Sequence, residues 1–492
     1  MTAARSPQRA SAPDPRRWKA LSLLALADFV VILDATIVNI ALPSMGRHFH
    51  ASITELSWVI SAYVLAFGGL LMLGGRLADL FGRRRLFAAG LVIFGLASLA
   101  GGLSASIGEL IAFRALQGLG AAALAPAARS IVQVLFEEGA ERSKAMGIWA
   151  AVAGSGSVVG LILGGVLTSQ LGWQWVLWVN VPVTLGAAAA TYRLISESRA
   201  DLENRSVDVI GAVLVGAGLV AVLYALVNAG TAGWASPQTT GLLGAGAVLL
   251  ASFVWAESKV AAPLMPLRIF RLPQVRGANI AMALTAAPMV GMFFVLSLYQ
   301  QQLEGYSALT SGLSALPLAV ALVAVAGAAG PLTERTGPKP VLISGLALFT
   351  AGVAWLSRIP VHGSYLADLL GPDLVIGVGL GLAFVAITIA STAGVPDDRA
   401  GLAGGLINTT QQIGGAIGLA IITTVAASHA SVVQAAAAAD GGFRAGLLVA
   451  AAIAAAATVA AMWFPRRQGS AAAVAVTEAG TAGPVPAHAA AT

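Results

Sequence analysis

The chain has 492 residues, of which 58% are hydrophobic and only 10% charged, far more apolar surface than a water-facing globule can hide. Its 28 Lys and Arg outnumber its 22 Asp and Glu, yet no soluble basic segment presents that excess to nucleic acid. It contains no cysteine, which excludes disulfides, iron–sulfur clusters and thiolate zinc sites.

Residues 1–17 are polar, basic and proline-containing, and read as an uncleaved cytoplasmic tail. Apolar segments long enough to cross a hydrocarbon core of about 30 Å then recur. They are predicted as helices near 19–43, 55–75, 86–104, 109–135, 144–168, 175–195, 208–229, 239–256, 277–301, 310–330, 340–357, 371–392, 402–427 and 444–464. The short alternating segments of a membrane barrel are absent. Residues 468–492 are rich in Ala, Gly and Pro and are expected to be disordered. The predicted fold is therefore an all-α polytopic membrane protein with 14 transmembrane helices.

Cations set the orientation, because cytoplasmic loops collect Lys and Arg. With the N-terminus inside, 23 of the 28 fall in cytoplasmic segments. The external loops hold Arg47, Arg358 and Arg444, and Arg114 and Arg129 lie within spans. Both termini are expected in the cytoplasm.

An internal repeat follows the second span. The loop Gly75-Arg76-Leu77-Ala78-Asp79-Leu80-Phe81-Gly82-Arg83-Arg84-Arg85 returns 255 residues later as Gly330-Pro331-Leu332-Thr333-Glu334-Arg335-Thr336-Gly337-Pro338-Lys339-Pro340. The expected organisation is a six-helix bundle over 18–200, two inserted helices over 201–260 and a second six-helix bundle over 261–467. The central pair carries almost no charge and is expected to be structural or lipid-facing.

Polar residues inside spans are the candidate site. An ionised carboxylate there costs about 2.5 to 3.5 kcal/mol on insertion scales, so Asp34 is expected at a water-filled cavity as a proton carrier, or else bonded between helices. Asp28, six residues away and about 120° around the helix, cannot share that direction and is either functional or bonded to a neighbour. Arg114 lies within roughly 6 Å of the depth of Asp34, and Gln117 shares its face at i+3. A relay of Asp34, Arg114 and Gln117 is geometrically possible, with a structural clamp as the alternative. Asp79 is placed to pair with Arg83 and to meet the N-terminal dipole of a helix in the opposite half. The second half shows no acidic residue deep within a predicted span, which disfavours divalent cations.

The first-span stretch Asp34-Ala35-Thr36-Ile37-Val38-Asn39-Ile40-Ala41-Leu42-Pro43 resembles the motif of the fourteen-spanner drug:proton antiporters of the major facilitator superfamily. Four further blocks are similar: Gly75–Arg85, Arg114-Ala115-Leu116-Gln117-Gly118, Gly156–Gly165 and Gly401–Ala416. The resemblance implies two six-helix bundles with two inserted helices. It also implies proton or cationic-drug binding at Asp34, proton coupling at Arg114, and a gating loop containing Gly75, Asp79, Gly82, Arg83 and Arg84. Gly156, Gly160, Gly164 and Gly165 match the antiport region, where four-residue spacing lets another helix approach closely. Leu161 stands where that family usually has proline, so the family's kink is not implied. Asn39, Asn408, Gln411 and Gln412 are candidate cavity-lining residues, with Gly404 and Gly415 on the same stripe; helix packing is the alternative for the thirteenth span. Trp173, Trp175 and Trp178 are expected in an interfacial belt.

These readings converge on a proton-coupled exporter of amphipathic drugs, antibiotics or toxic metabolites, working by alternating access in the cell membrane and not as an enzyme. No cofactor is expected beyond the proton gradient, no metal spacing occurs among the five histidines, and a monomer without nucleic-acid partners is expected. The alternatives are a proton-coupled nutrient importer and a transport-inactive sensor or lipid-binding scaffold.

Overall fold

The computed structural model describes residues 16–136, 140–199, 208–260, 263, 267–360, 363–395, 400–430 and 436–465. The expected C-terminal tail and nearly all of the N-terminal one lie outside the described residues, as do His362 and His488. Fourteen long helical segments follow one another. They are α1 (Arg17–Phe49), α2 (Ile53–Phe81), α3 (Arg83–Gly102), α4 (Ile107–Leu135), α5 (Ala140–Gln170), α6 (Trp175–Leu194) and α7 (Val209–Ala232). The rest are α8 (Pro237–Glu257), α9 (Pro273–Leu303), α10 (Ala308–Thr336), α11 (Pro338–Leu356), α12 (Tyr365–Thr392), α13 (Ala400–Ala430) and α14 (Ala436–Ala461). Thirteen are long and apolar enough to cross a membrane over their described residues; α5 contributes the shorter apolar run Ser155–Gln170.

Local chemistry sets the ends. Ser52 and Glu55 cap α2 reciprocally, and Ser106, Ser236 and Ser307 accept the N–H three residues on at the starts of α4, α8 and α10. Proline occupies the first helical position of α8, α9 and α11, where no intrahelical N–H is needed. Gly82 and Gly337 adopt φ of 114° and 85°, which only glycine reaches without strain, and each divides one span from the next.

The two motif loops are therefore mostly helix, which corrects the expectation. Gly75, Arg76 and Asp79 ride on the last turns of α2, and α10 continues to Thr336. An apolar helix carries such polar turns beyond the hydrocarbon without breaking, because the backbone hydrogen bonds stay within the segment.

In the first half α4 packs on α2 and α3, α5 on α1, and α6 on α3. In the second half α12 packs on α10 and α11, α13 on α9, and α14 on α9, α11 and α13. The added pair α7–α8 packs on itself through Gly218 and Gly246, which meet Leu250 and Val222. It attaches mainly through α7, where Tyr224 faces Trp58 of α2 and Thr424 of α13 donates to the Leu226 carbonyl at 2.7 Å.

The halves meet along α2–α13 and, at the end away from the Gly82 turn, along α1–α9 and α5–α10. There Ser297 and Gln301 of α9 donate to the carbonyls of Asn39 and Ile40, each at 2.9 Å. Gly165 lies against Leu309, and Gly312 against the Leu161 carbonyl.

Candidate functional site

Five helices of the first half bring polar side chains to one buried point. Asp34 of α1 is 0% exposed and Arg114 of α4 is 1% exposed, and Arg114 Nη1 donates to Asp34 Oδ2 at 2.5 Å. Gln117, one turn along α4, donates through Nε2 to Asp34 Oδ1 at 3.0 Å and to Ser98 Oγ of α3 at 2.7 Å. Its Oε1 accepts from Arg114 Nη1 at 2.9 Å. Asn180 of α6 completes the set, donating to Asp34 Oδ1 at 2.8 Å. Arg114 Nε reaches the Val59 carbonyl at 3.1 Å, and its guanidinium carbon lies 4.3 Å from the Tyr63 ring centroid.

The predicted trio Asp34, Arg114 and Gln117 is thus one cluster. Asn180, Ser98 and Tyr63 were not foreseen; isolated polar residues in apolar spans carry no spacing that points to a partner.

The expected water-filled cavity at Asp34 is not what the structure shows. The carboxylate is enclosed and saturated by three donors, because an ionised group in a dry interior must be paired and hydrogen-bonded. The chemical consequence is a charge-balanced lock. A proton on Asp34 would remove the negative member, cancel its strongest bond and leave Arg114 to find another acceptor.

Asp28 points elsewhere, as its angular offset requires. It accepts from Trp149 Nε1 of α5 at 2.8 Å, with the Arg129 charge also within reach. Asn39 meets α9 through its backbone carbonyl; its Nδ2 donates to the Ala35 carbonyl at 2.8 Å, while its buried Oδ1 has no partner among the described residues.

Gly156, Gly160 and Gly164 do face one helix. They meet Phe29, Leu33 with Thr36, and Ile37 of α1, so the stripe is the α1–α5 contact, while Gly165 faces α10. With Leu161 in place of proline, α5 runs without a break from Ala140 to Gln170. On α13, Gln412 abuts Gly68 of α2, and Gly415 abuts Val290 of α9, so part of this stripe serves packing; Asn408 and Gln411 are half-buried. Trp173 departs from the expected belt. It is buried against His48 and Phe49 because the α5–α6 turn folds back over the end of α1, while Trp175 remains exposed.

At the other end, Asp79 accepts from Arg83 Nη2 at 2.9 Å and Nε at 3.1 Å. Beside them sits a residue the sequence did not flag, Glu197, just beyond α6. It accepts the Arg84 backbone N–H at 3.0 Å, lies 3.6 Å from Arg85 Nε, and occupies the space a side chain at Gly82 would need. A carboxylate at the first turn of α3 complements the dipole there.

One expectation about the second half fails outright. Asp373 is 0% exposed, and α12 begins with a π-helical turn at Tyr365, so the carboxyl sits eight residues into the helical segment.

A Major Facilitator Superfamily profile matches residues 24–419. The chain is 42% identical over 417 residues to the puromycin resistance protein pur8 of Streptomyces alboniger, covering 84% of this chain and 82% of that protein. It is 41% identical over 409 residues to the cephamycin export protein CmcT of Amycolatopsis lactamdurans, covering 82% and 84%. Among solved structures, a bacterial homologue of the human lysosomal transporter Spinster, crystallised inward-facing and unoccupied, matches with a TM-score of 0.65 at 17% identity over 92% of this chain and 98% of that one. The profile across residues 24–419 and relatives above 40% identity over four-fifths of the chain agree: this chain belongs to the Major Facilitator Superfamily.

Proposed function

We propose that the protein exports antibiotic-like or other amphipathic compounds across the cell membrane in exchange for protons, by alternating access and without covalent chemistry. The single observation that carries the coupling is the enclosed Asp34–Arg114 pair, one carboxylate and one guanidinium joined at 2.5 Å beyond the reach of water. Export as the direction is supported by relatives that are themselves named for antibiotic resistance and export.

A proton arriving at Asp34 dissolves the pair, and Arg114, still held by Val59 and the Tyr63 ring, shifts its charge toward Gln117 or toward bound substrate. Loss of that proton restores the lock. The gradient supplies the drive, so no cofactor is required, and the protein works as a monomer. The Gly82 turn, with its cluster of arginines, lies in the cytoplasm together with both termini. The Asp79–Arg83 pair and the Glu197 strap brace the first half at that end as the halves rock.

The test is substrate-dependent proton movement in everted vesicles. Adding a transported compound to energised vesicles should release protons from the lumen, and accumulation should be inward, which is export in the cell. Accumulation in right-side-out vesicles instead would establish the importer; no transport by either preparation across an antibiotic panel would establish the scaffold.

A further inference from the structure

The close glycine contacts of the two halves recur at constant sequence offsets, and the correspondence isolates one carboxyl. In the first half Gly118 of α4 meets Tyr63 and Ala66 of α2, and Gly120 meets Gly90 and Phe94 of α3. In the second, Gly377 of α12 meets Leu318 and Ala321 of α10, and Gly379 meets Gly345 and Phe349 of α11. Both glycine pairs are 259 residues apart, and 259 residues beyond Arg114 lies Asp373.

The same exercise matches α1 with α9. Gly156, Gly160 and Gly164 of α5 meet Phe29, Leu33 and Ile37; Gly414, Gly418 and Ile422 of α13 meet Ala283, Ala287 and Gly291. Asp34 therefore corresponds to Pro288, Gln117 to Ile376 and Ser98 to Val353. Asp34 and Gln117, which bond Arg114, and Ser98, which bonds Gln117, are thus all matched by apolar residues in the second half. The carbonyl matching Val59 is that of Ser314, and the Tyr365 hydroxyl occupies it at 3.1 Å.

Among the described residues Asp373 consequently has neither oxygen bonded, although it is fully enclosed. Titratable and charged groups on the surrounding segments are engaged elsewhere or lie out of bonding reach. Tyr299 bonds Glu304 and the Pro360 carbonyl, Tyr365 bonds Ser314, and Asp368 accepts from the Ser364 N–H. Tyr306 and Arg358 place no atom within bonding distance, and α10 carries its charges, Glu334 and Arg335, at the far end. A bare carboxylate in such a place would cost several kcal/mol, whereas a neutral acid costs far less.

We propose that Asp373 is a second proton-binding site, loaded from the external water. It holds its proton while the external ends of α1 and α5 are closed on α9 and α10. When those ends part and water enters, the proton returns to the external phase and the carboxylate forms. Proton occupancy here stabilises the externally closed state, so external acidity biases the resting equilibrium toward closure. The inference rests on the alternating-access reading above, but on neither its substrate nor the role of Asp34.

The absence of cysteine allows a clean test. Spin labels at Ser169→Cys on α5 and Gln302→Cys on α9, both exposed at the external end, report their separation in liposomes without substrate or gradient. Raising pH should shift the unsubstituted protein from a short distance to a longer one. Asp373→Asn should lose that shift and stay closed, and Asp373→Glu should keep it. In parallel, the infrared spectrum of the closed protein should contain a buried neutral-acid carbonyl band that Asp373→Asn lacks. A pH profile unchanged by Asp373→Asn, or no such band in a folded wild-type sample, would overturn the proposal. A shift abolished by Asp34→Asn and kept by Asp373→Asn would also overturn it, while leaving proton-coupled export intact.

Discussion

Replacing Arg114 by methionine keeps an unbranched apolar stem and removes the charged guanidinium, which strands Asp34 at 0% exposure with only Gln117 and Asn180 as donors. The lost interactions are the 2.5 Å ion pair, the bonds to Gln117 Oε1 and the Val59 carbonyl, and the contact with the Tyr63 ring. Removing one partner of a buried pair costs about 3–5 kcal/mol, mostly because the remaining charge is uncompensated. That corresponds to roughly two to four decades in the folding equilibrium. If charge compensation is the cause, Asp34→Asn in the Arg114→Met background should recover most of the loss. The asparagine can still bond Gln117 and Asn180, and no net charge remains. Thermal unfolding of the purified single and double variants in detergent measures both steps. Transport should be abolished in Arg114→Met and should stay abolished in the stable double variant, separating coupling from folding. An Arg114→Met protein as stable as wild type, or a double variant no more stable than the single one, would refute the reasoning.

Other expectations follow from the packing around this centre. A side chain at Gly160 would run into Thr36 and approach the Leu33 carbonyl at 3.1 Å, so Gly160→Val should cost about 1–3 kcal/mol in thermal unfolding. Gly186, with nothing within 4 Å of an added Cβ, should accept alanine without loss and serves as the control. Trp149→Phe deletes the donor to Asp28 and should lower stability by about 1–3 kcal/mol while leaving drug-driven proton movement in place; loss of that movement at normal stability would put Asp28 on the proton path. At the Gly82 turn, Glu197→Gln keeps an acceptor for the Arg84 N–H and should cost less than about 1 kcal/mol, since its ion pairs are partly solvated. Glu197→Leu removes the acceptor and should cost more, measured as faster limited proteolysis between α6 and α7.

Span positions were legible because lipid imposes one rule on every helix, a long uninterrupted apolar run. The ends were less legible: α2 and α10 continue through polar turns that read as loops, and α12 starts six residues before its apolar run. That late start is why Asp373 passed for a terminal residue. Asp34, Arg114 and Gln117 were readable together since charge in a span is rare and helical rise fixes relative depth. Asn180 and Ser98 were not, because what makes them part of the site is the packing of α6 and α3 against α4 and α1, which no local spacing encodes. Glu197 likewise gains its meaning from an N–H 113 residues away in the chain. The glycine stripe on α5 was readable as a close approach, but only the fold identifies α1 as the helix that approaches.

The central claim is that protons drive export through Asp34. Its most direct test is accumulation of a labelled substrate by proteoliposomes of purified protein under an imposed pH gradient, wild type beside Asp34→Asn. The account predicts gradient-driven accumulation by wild type, and in Asp34→Asn equilibrium substrate binding with accumulation reduced to the level of protein-free liposomes. Accumulation by Asp34→Asn equal to wild type, or wild-type accumulation indifferent to the gradient, would contradict it.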